Sequence, residues 1–260
     1  MNISLQDKTA IICGSTQGIG LAIAKELALL GAQCILLARN EQSLKEAVAS
    51  LHPVIKKHEY RVVDFSSNEA VKSVAAEIAQ SFTIHILVNN TGGPPPGPIA
   101  DAGAEAFMAA FSQHIINYQQ LTQAVLPGMK QAGYGRIINI VSTSVKIPIA
   151  NLGVSNTIRA ATAGWAKTLA NEVAGWGITV NNILPGYTKT QRLESLITNN
   201  SAKQQTTKED LATKMQQQIP AKRFGEPEEI AAVAAFLASP AASYVNGVNL
   251  AVDGGSTGAF

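Results

Sequence analysis

The chain of 260 residues predicts an α/β fold, a doubly wound (Rossmann) sheet of about seven mainly parallel strands with helices on both faces. Two observations predict it. Short β-branched runs alternate with longer stretches of helical period, the mark of βα units. The strand runs are also apolar nearly without a break, as burial on both faces of a parallel sheet requires. No interior segment resembles a linker and no repeat beyond the βα alternation occurs, so 1–260 is expected to be one domain.

In chain order, strands are expected at TAIICG (9–14), AQCILLA (32–38), YRVVD (60–64), IHILVNN (84–90), RIINIVS (136–142), ITVNNIL (178–184) and GVNLAV (247–252). Helical spacing of apolar residues marks GLAIAKELALLG (20–31), NEAVKSVAAEIAQ (68–80), the long run 107–130, SNTIRAATAGWAKTLA (155–170) and EPEEIAAVAAFLA (226–238). NNSAKQQTTK (199–208) is the most polar and least patterned piece. It is expected to be mobile surface by a cleft, within a substrate lid at about 187–220.

Charge and cysteine usage exclude some classes. With 20 basic against 18 acidic residues the net charge is only +2, and no Lys/Arg run suggests a nucleic-acid surface. Cys13 and Cys34 each lie in an apolar strand, which fits buried thiols in a reducing compartment rather than a disulfide framework. The N-terminus lacks the pattern of a signal peptide, and the apolar run 230–238 is far shorter than the ~20 residues of a membrane span. A cytoplasmic protein is expected.

The first strand runs straight into GSTQGIG (14–20) and then into a helix. Gly14, Gly18 and Gly20, with Ser15, Gln17 and Ile19 between them, allow a tight turn. The turn lets a pyrophosphate approach amide groups at the helix N-terminus. At the end of the second strand, where an NAD site would place a carboxylate for the ribose hydroxyl, the sequence reads Ala38-Arg39. A carboxylate repels a 2′-phosphate and a guanidinium pairs with it, so the expected cofactor is NADP(H).

The ordered set GSTQGIG (14–20), VVDF (62–65), NNTG (89–92), GRIINIVS (135–142), ILPGYTKT (183–190) and AVDGG (251–255) resembles the short-chain dehydrogenase/reductase family, with the nearest look to its 3-oxoacyl-[acyl-carrier-protein] reductase-like branch. The resemblance spans essentially the whole chain. It implies that Asp64 binds the adenine amino group, that Asn90 and Gly92 line the cofactor pocket, and that Pro185, Gly186, Thr188 and Thr190 hold the nicotinamide end. It also implies dimers or tetramers. Small residues on the helix after Arg159 (Ala160, Ala161, Ala163, Gly164, Ala166) suit either a twofold helix contact or packing within one subunit.

The departures lie at the reacting centre. The family reduces carbonyls with a Ser, a Tyr and a Lys, supported by an Asn. Ser142 stands at the serine, but Ser155 occupies the tyrosine's place, Arg159 the lysine's and His114 the asparagine's. No Tyr-x-x-x-Lys occurs between Ser142 and Ala170. An aliphatic hydroxyl is a far poorer acid than a phenol, and arginine is effectively never deprotonated. Arg159 is expected to hold ribose hydroxyls and to place a charge by the reacting oxygen. His114, with an ordinary pKa near ~6.5, is the best replacement proton source, directly or through water, with Ser142 and Ser155 binding the oxygen. The competing reading of His114 is a hydrogen-bonded helix histidine. Tyr187 and Lys146 are expected at the rim. Two functions stand open: an NADP(H)-dependent oxidoreductase acting on a carbonyl or alcohol, and a catalytically silent NADP(H)-binding protein.

Overall fold

The computed structural model describes residues 1–258. Among them the strands are β1 (Thr9–Cys13), β2 (Gln33–Ala38), β3 (Glu59–Val62), β4 (Ile86–Asn89), β5 (Gly135–Ile140), β6 (Ile178–Pro185) and β7 (Asn249–Val252). They form one sheet in the order β3-β2-β1-β4-β5-β6-β7, every neighbouring pair parallel. The chain winds outward from β1 to β3, then returns to lay β4 on the other side of β1. The crevice at the carboxyl ends of β1 and β4 is the switch point at which such sheets bind ligands.

The helices are α1 (Gly18–Leu29), α2 (Glu41–Ala49), α3 (Asn68–Ser81), α4 (Ala104–Phe111), α5 (Asn117–Ala132), α6 (Gly153–Val173), α7 (Gln191–Gln204), α8 (Lys208–Gln218) and α9 (Pro227–Ala238). Successive strand residues feed opposite cores, since strand side chains alternate in direction. Ala10, Ile12, Cys34 and Leu36 join α1 and α9 on one face; Ile11, Cys13, Ile35 and Leu37 join α3, α5 and α6 on the other. Each fully buried Ile or Leu contributes about 1.5–3 kcal/mol, so unbroken apolar strands are what a two-faced sheet selects.

One polar row crosses this apolar sheet. Asn89, Asn139, Asn182 and Asn249 stand in register on β4 to β7. Each amide donates to the next: Asn89 to Asn139 at 2.8 Å, Asn139 to Asn182 at 2.8 Å, Asn182 to Asn249 at 2.7 Å.

Two expectations need correction. The run 107–130 is not one regular helix: between α4 and α5 lies a π turn, Ser112–Ile116. It is pinned from outside, because Asn68 donates to the Ser112 carbonyl at 3.1 Å while Asn117 donates to the Phe65 and Gln113 carbonyls at 2.7 and 3.1 Å. The segment 199–208 is not unpatterned: it is the end of α7, a short turn and the first residue of α8. Thr190 caps α7 and Thr207 caps α8. Leu193, Ile197, Leu211 and Met215 close a small core of their own with Ile219 and Phe224. Among the described residues no helix is long and apolar enough to cross a membrane.

Candidate active site

The glycine turn after β1 is sterically obligatory. Gly14 and Gly18 adopt φ of +58° and +53°. A Cβ on Gly14 would lie 2.4 Å from the Asn90 carbonyl oxygen, and one on Gly20 would lie 2.1 Å from that of Gly14. The Asn90 amide fastens the turn by donating to the Cys13 and Gly14 carbonyls at 3.3 and 3.1 Å. α1 starts at Gly18 without a side-chain cap, so its first amides are left for an anion. Ser15 is fully buried with an unpartnered hydroxyl, Gln17 is exposed, and Ile19 packs on the core. Across the crevice Thr190 faces the turn; a Cβ on Gly18 would lie 3.1 Å from its methyl.

At the adenosine end, Arg39 is exposed beyond β2 and makes no ion pair among the described residues. The first carboxylate after it, Glu41, is held by Lys45 at 3.0 Å and by the Tyr60 hydroxyl at 3.2 Å. Asp64, beyond β3, accepts from the Ser66 amide at 2.9 Å. That bond, then the Ser66 hydroxyl, keep it below the usual carboxylate range, with a further pull from Arg39. Pro185 ends β6; Gly186 donates to the Val252 carbonyl at 3.0 Å and passes so close to Asp253 that a Cβ would lie 2.8 Å from its Cα. Thr188 is buried and bonds the Gly186 carbonyl at 3.1 Å. Gly92 has open space around its Cα.

At the reacting end, Ser142 follows β5 and its Oγ accepts from the Ser144 amide at 3.1 Å. Ser155 and Arg159 sit in the first turns of α6, 5% and 7% exposed. Arg159 Nη1 donates to the Ile140 carbonyl at 3.0 Å, which ties α6 to the end of β5 two residues before Ser142. No carboxylate pairs with it among the described residues, and burial pulls its pKa down. A buried cation without a counter-charge is costly, and the Ile140 carbonyl is the one acceptor its guanidinium meets among the described residues.

His114 occupies the π turn and is fully buried. Its Nδ1 lies 2.8 Å from Thr91 Oγ1, which lies 3.0 Å from the Tyr118 hydroxyl. Its Nε2 has no partner. Burial, followed by the charges of Arg159 and Arg192, pushes its pKa down to about 3. The expected imidazole with an ordinary pKa is therefore corrected: at neutral pH His114 is uncharged. Its Nδ1 is hydrogen-bonded within the fold, as the competing reading expects, and Nε2 is the ring nitrogen without a partner.

Three residues escaped the sequence. Thr91 and Tyr118 complete the row with His114; the signal was the i, i+4 spacing of His114 and Tyr118. Arg192, two residues past Thr190, lays its guanidinium on the Gly93 backbone, where a Cβ would lie 2.7 Å from both Nη atoms. Tyr187 sits at the surface with its ring edge-on to Phe224, centroids 6.2 Å apart, and Lys146 follows the turn after Ser142.

Residues 14–257 match the family model described as Enoyl-(Acyl carrier protein) reductase. The chain is 33% identical over 260 residues to the NADPH-dependent reductase BacG of Bacillus subtilis, covering 97% of this chain and 98% of the relative. It is 32% identical to the 7alpha-hydroxysteroid dehydrogenase of Escherichia coli, covering 98% and 96%. Among solved structures, L-sorbose reductase from Gluconobacter frateurii, complexed with NADPH and L-sorbose, superposes with a TM-score of 0.93 over the whole of both chains at 32% identity. The chain belongs to the short-chain dehydrogenase/reductase family.

Proposed function

We propose that the protein is an NADP(H)-dependent oxidoreductase that moves hydride between the nicotinamide and a small carbonyl or alcohol substrate, using an atypical proton-transfer set. The observation that carries this reading is the uncapped N-terminus of α1 behind the Gly14–Gly20 turn, with Arg39 unpaired at the end of β2 and no carboxylate free to compete. The residues fit the dinucleotide: amides of α1 for the pyrophosphate, Arg39 for the 2′-phosphate, Asp64 for the adenine, Arg159 for ribose hydroxyls, and Gly92, Pro185, Gly186, Thr188 and Thr190 around the nicotinamide. When bound, that group supplies or accepts the hydride. Ser142 and Ser155 hold the substrate oxygen, and Arg159 sets a positive charge beside it. α7 and α8, with their separate core, form the lid.

The relatives named above act on dissimilar substrates, which leaves 3-oxoacyl thioesters as one class to try rather than the expected one. A second reading, a silent NADP(H)-binding protein, is favoured by Ser155 and Arg159 at the family's proton-transfer positions. Calorimetry with NADPH and NADH, followed by NADPH absorbance with ketoses, other ketones, quinones and 3-oxoacyl thioesters, separates the two. Turnover on any of them supports the enzyme; tight binding with no turnover on the panel supports the silent protein. No binding of either nucleotide rejects both.

Two features bear on assembly and location. Ala160, Ala161 and Gly164 form an exposed strip on α6, and a Cβ on Gly164 would meet nothing within 4 Å. Met108 and Phe111 of α4 are exposed at 72% and 42%. We assign these faces to a homodimer, or to a homotetramer built from it. Cys13 and Cys34 are buried free thiols, with burial raising Cys13 to about 12, which suits the cytoplasm.

A further inference from the structure

We infer that the proton reaching the substrate oxygen originates on Tyr118 and travels through Thr91 and His114, with Arg159 holding the charge left on the phenolate. The inference rests on the redox reading above and supplies the acid that position 155 no longer provides.

The local alternatives fail on magnitude. Ser155 is an alkyl hydroxyl, and Arg159 keeps its proton. With a pKa of about 3, His114 is an imidazolium in only about one molecule in ten thousand at pH 7. A neutral imidazole giving up its Nε2 proton alone would leave an imidazolate, a buried anion. It avoids that charge only if Nδ1 gains a proton as Nε2 loses one, and Nδ1 is 2.8 Å from a hydroxyl that is itself 3.0 Å from a phenol.

The direction of the row follows from counting unmet groups. Thr91 has one hydroxyl hydrogen and two neighbours. If it donates to Nδ1, Tyr118 donates to Thr91 and His114 carries its hydrogen on Nε2, with the Gly92 backbone as the acceptor that bears on the ring. If the row runs the other way, the Tyr118 hydrogen and a bare Nε2 are both unmet. Both side chains are fully buried, so each unmet group is costly. The first direction leaves the fewer unmet groups and keeps a hydrogen on Nε2, the ring nitrogen without a hydrogen-bond partner.

In the reduction, hydride from bound NADPH forms a C–H bond at the carbonyl carbon, and the C=O π pair moves onto oxygen. That oxygen takes the Nε2 proton, directly or across one water. Nδ1 takes the Thr91 proton and Thr91 takes the Tyr118 proton. Threonine and imidazole end neutral, and the phenolate holds the single negative charge. An alkoxide, like hydroxide, is a far stronger base than a phenolate, so it takes the proton even though burial raises Tyr118. Arg159 acts against that rise and also bears on His114, so one buried cation faces both ends of the row. After product leaves, Nε2 takes a proton from solvent water while Nδ1 returns its proton to Thr91 and Thr91 returns one to Tyr118, so each turnover consumes one solvent proton.

The test uses the full-length protein with NADPH and whichever panel carbonyl it reduces. Tyr118→Phe and Thr91→Val are each expected to lower kcat on the order of 100-fold, the usual weight of a general acid, with the KM for NADPH within about twofold. Thr91→Ser, which keeps the hydroxyl, is expected to restore most of it. Wild-type kcat should stay level between about pH 5 and 9, since nothing in the row titrates there. Nitrogen-15 histidine NMR of the NADP⁺ complex should show His114 neutral with its proton on Nε2. A proton on Nδ1, or Tyr118→Phe turning over within about twofold of wild type, overturns the relay. Should Tyr118→Phe fail to fold, equal kcat for Thr91→Val and Thr91→Ser overturns it instead. Wild-type turnover with unaffected variants rejects the relay alone; NADPH binding without any wild-type turnover rejects the redox reading and the relay with it.

Discussion

Arg39 makes no ion pair among the described residues, and the proposed function assigns it the 2′-phosphate of NADP(H). Replacing Arg39 with Ala removes a charged bond worth about 1.5–3 kcal/mol, so the NADPH Kd should weaken roughly 10- to 100-fold while NADH binding stays the same. Calorimetry with both nucleotides checks this, and equal losses for the two would place Arg39 elsewhere. Gly20 acts by absence: a methyl there would sit 2.1 Å from the Gly14 carbonyl. Gly20→Ala should abolish NADPH binding and lower the melting temperature, with an overpacking cost of about 1–3 kcal/mol. An NADPH-dependent thermal shift in that variant would show that the turn tolerates the methyl. Both residues were legible in the sequence, because each acts within a few positions of its own strand. The departures at Ser155 and Arg159 were legible by counting from Ser142. The rest of the proton set was not, because Thr91 and Tyr118 meet His114 only once β4 and α5 are packed together.

At the scale of elements, the asparagine row shows how a polar line can cross a buried sheet. Asn139 both accepts from Asn89 and donates to Asn182, each at 2.8 Å. Asn139→Ala strands a buried donor and a buried acceptor at once, each worth about 1–3 kcal/mol, so a loss of roughly 2–6 kcal/mol is expected in urea unfolding. A loss below about 1 kcal/mol would mean that water fills the gap. The strands were easy to place because β1, β2, β4, β5 and β6 are buried on both faces and mostly apolar. α7 and α8 were hidden because their cores are thin: beside Leu193, Ile197, Leu211 and Met215 nearly all other positions are polar, and the stripe is filled only by the partner helix. The π turn has no local signature, since Asn68 of α3 holds its Ser112 carbonyl and Asn117 ties the start of α5 to the Phe65 carbonyl.

For the whole molecule, two neutral imidazoles set the response to acid. Burial holds His114 at about 3, and burial followed by Lys8 and Lys56 holds His85 at about 4. In the unfolded chain both titrate near ~6.5. Between those values the unfolded state binds more protons, so stability falls as pH drops from about 6.5 toward 4 and levels off below about 3. His114 accounts for up to about 1.4 kcal/mol per pH unit in that window; the partly exposed His85 adds less. Urea midpoints at about pH 7, 6 and 5 should therefore decline, and more gently in His114→Asn. Equal slopes for the two proteins would contradict the buried state of His114. The proposed dimer is tested at the same scale: Gly164→Leu places a large side chain on the open face of α6 and should shift light-scattering mass toward the monomer without loss of helix content. An unchanged mass would move the interface off this face.

The sequence by itself determined the layered architecture, and it pointed to the dinucleotide turn, to Arg39 as the proposed phosphate partner and to the departures expected at positions 155 and 159. Each depends on residue type, periodicity or spacing along a single strand and the turn after it. Only the tertiary structure decided the burial that lowers the His114 pKa, the hydrogen bonds of Thr91 to His114 and to Tyr118, and the nearness of Arg159 and Arg192. Those depend on burial and on atoms from β4, α5, α6 and α7 meeting at one point, and distance in space is the one quantity that spacing along a chain does not contain.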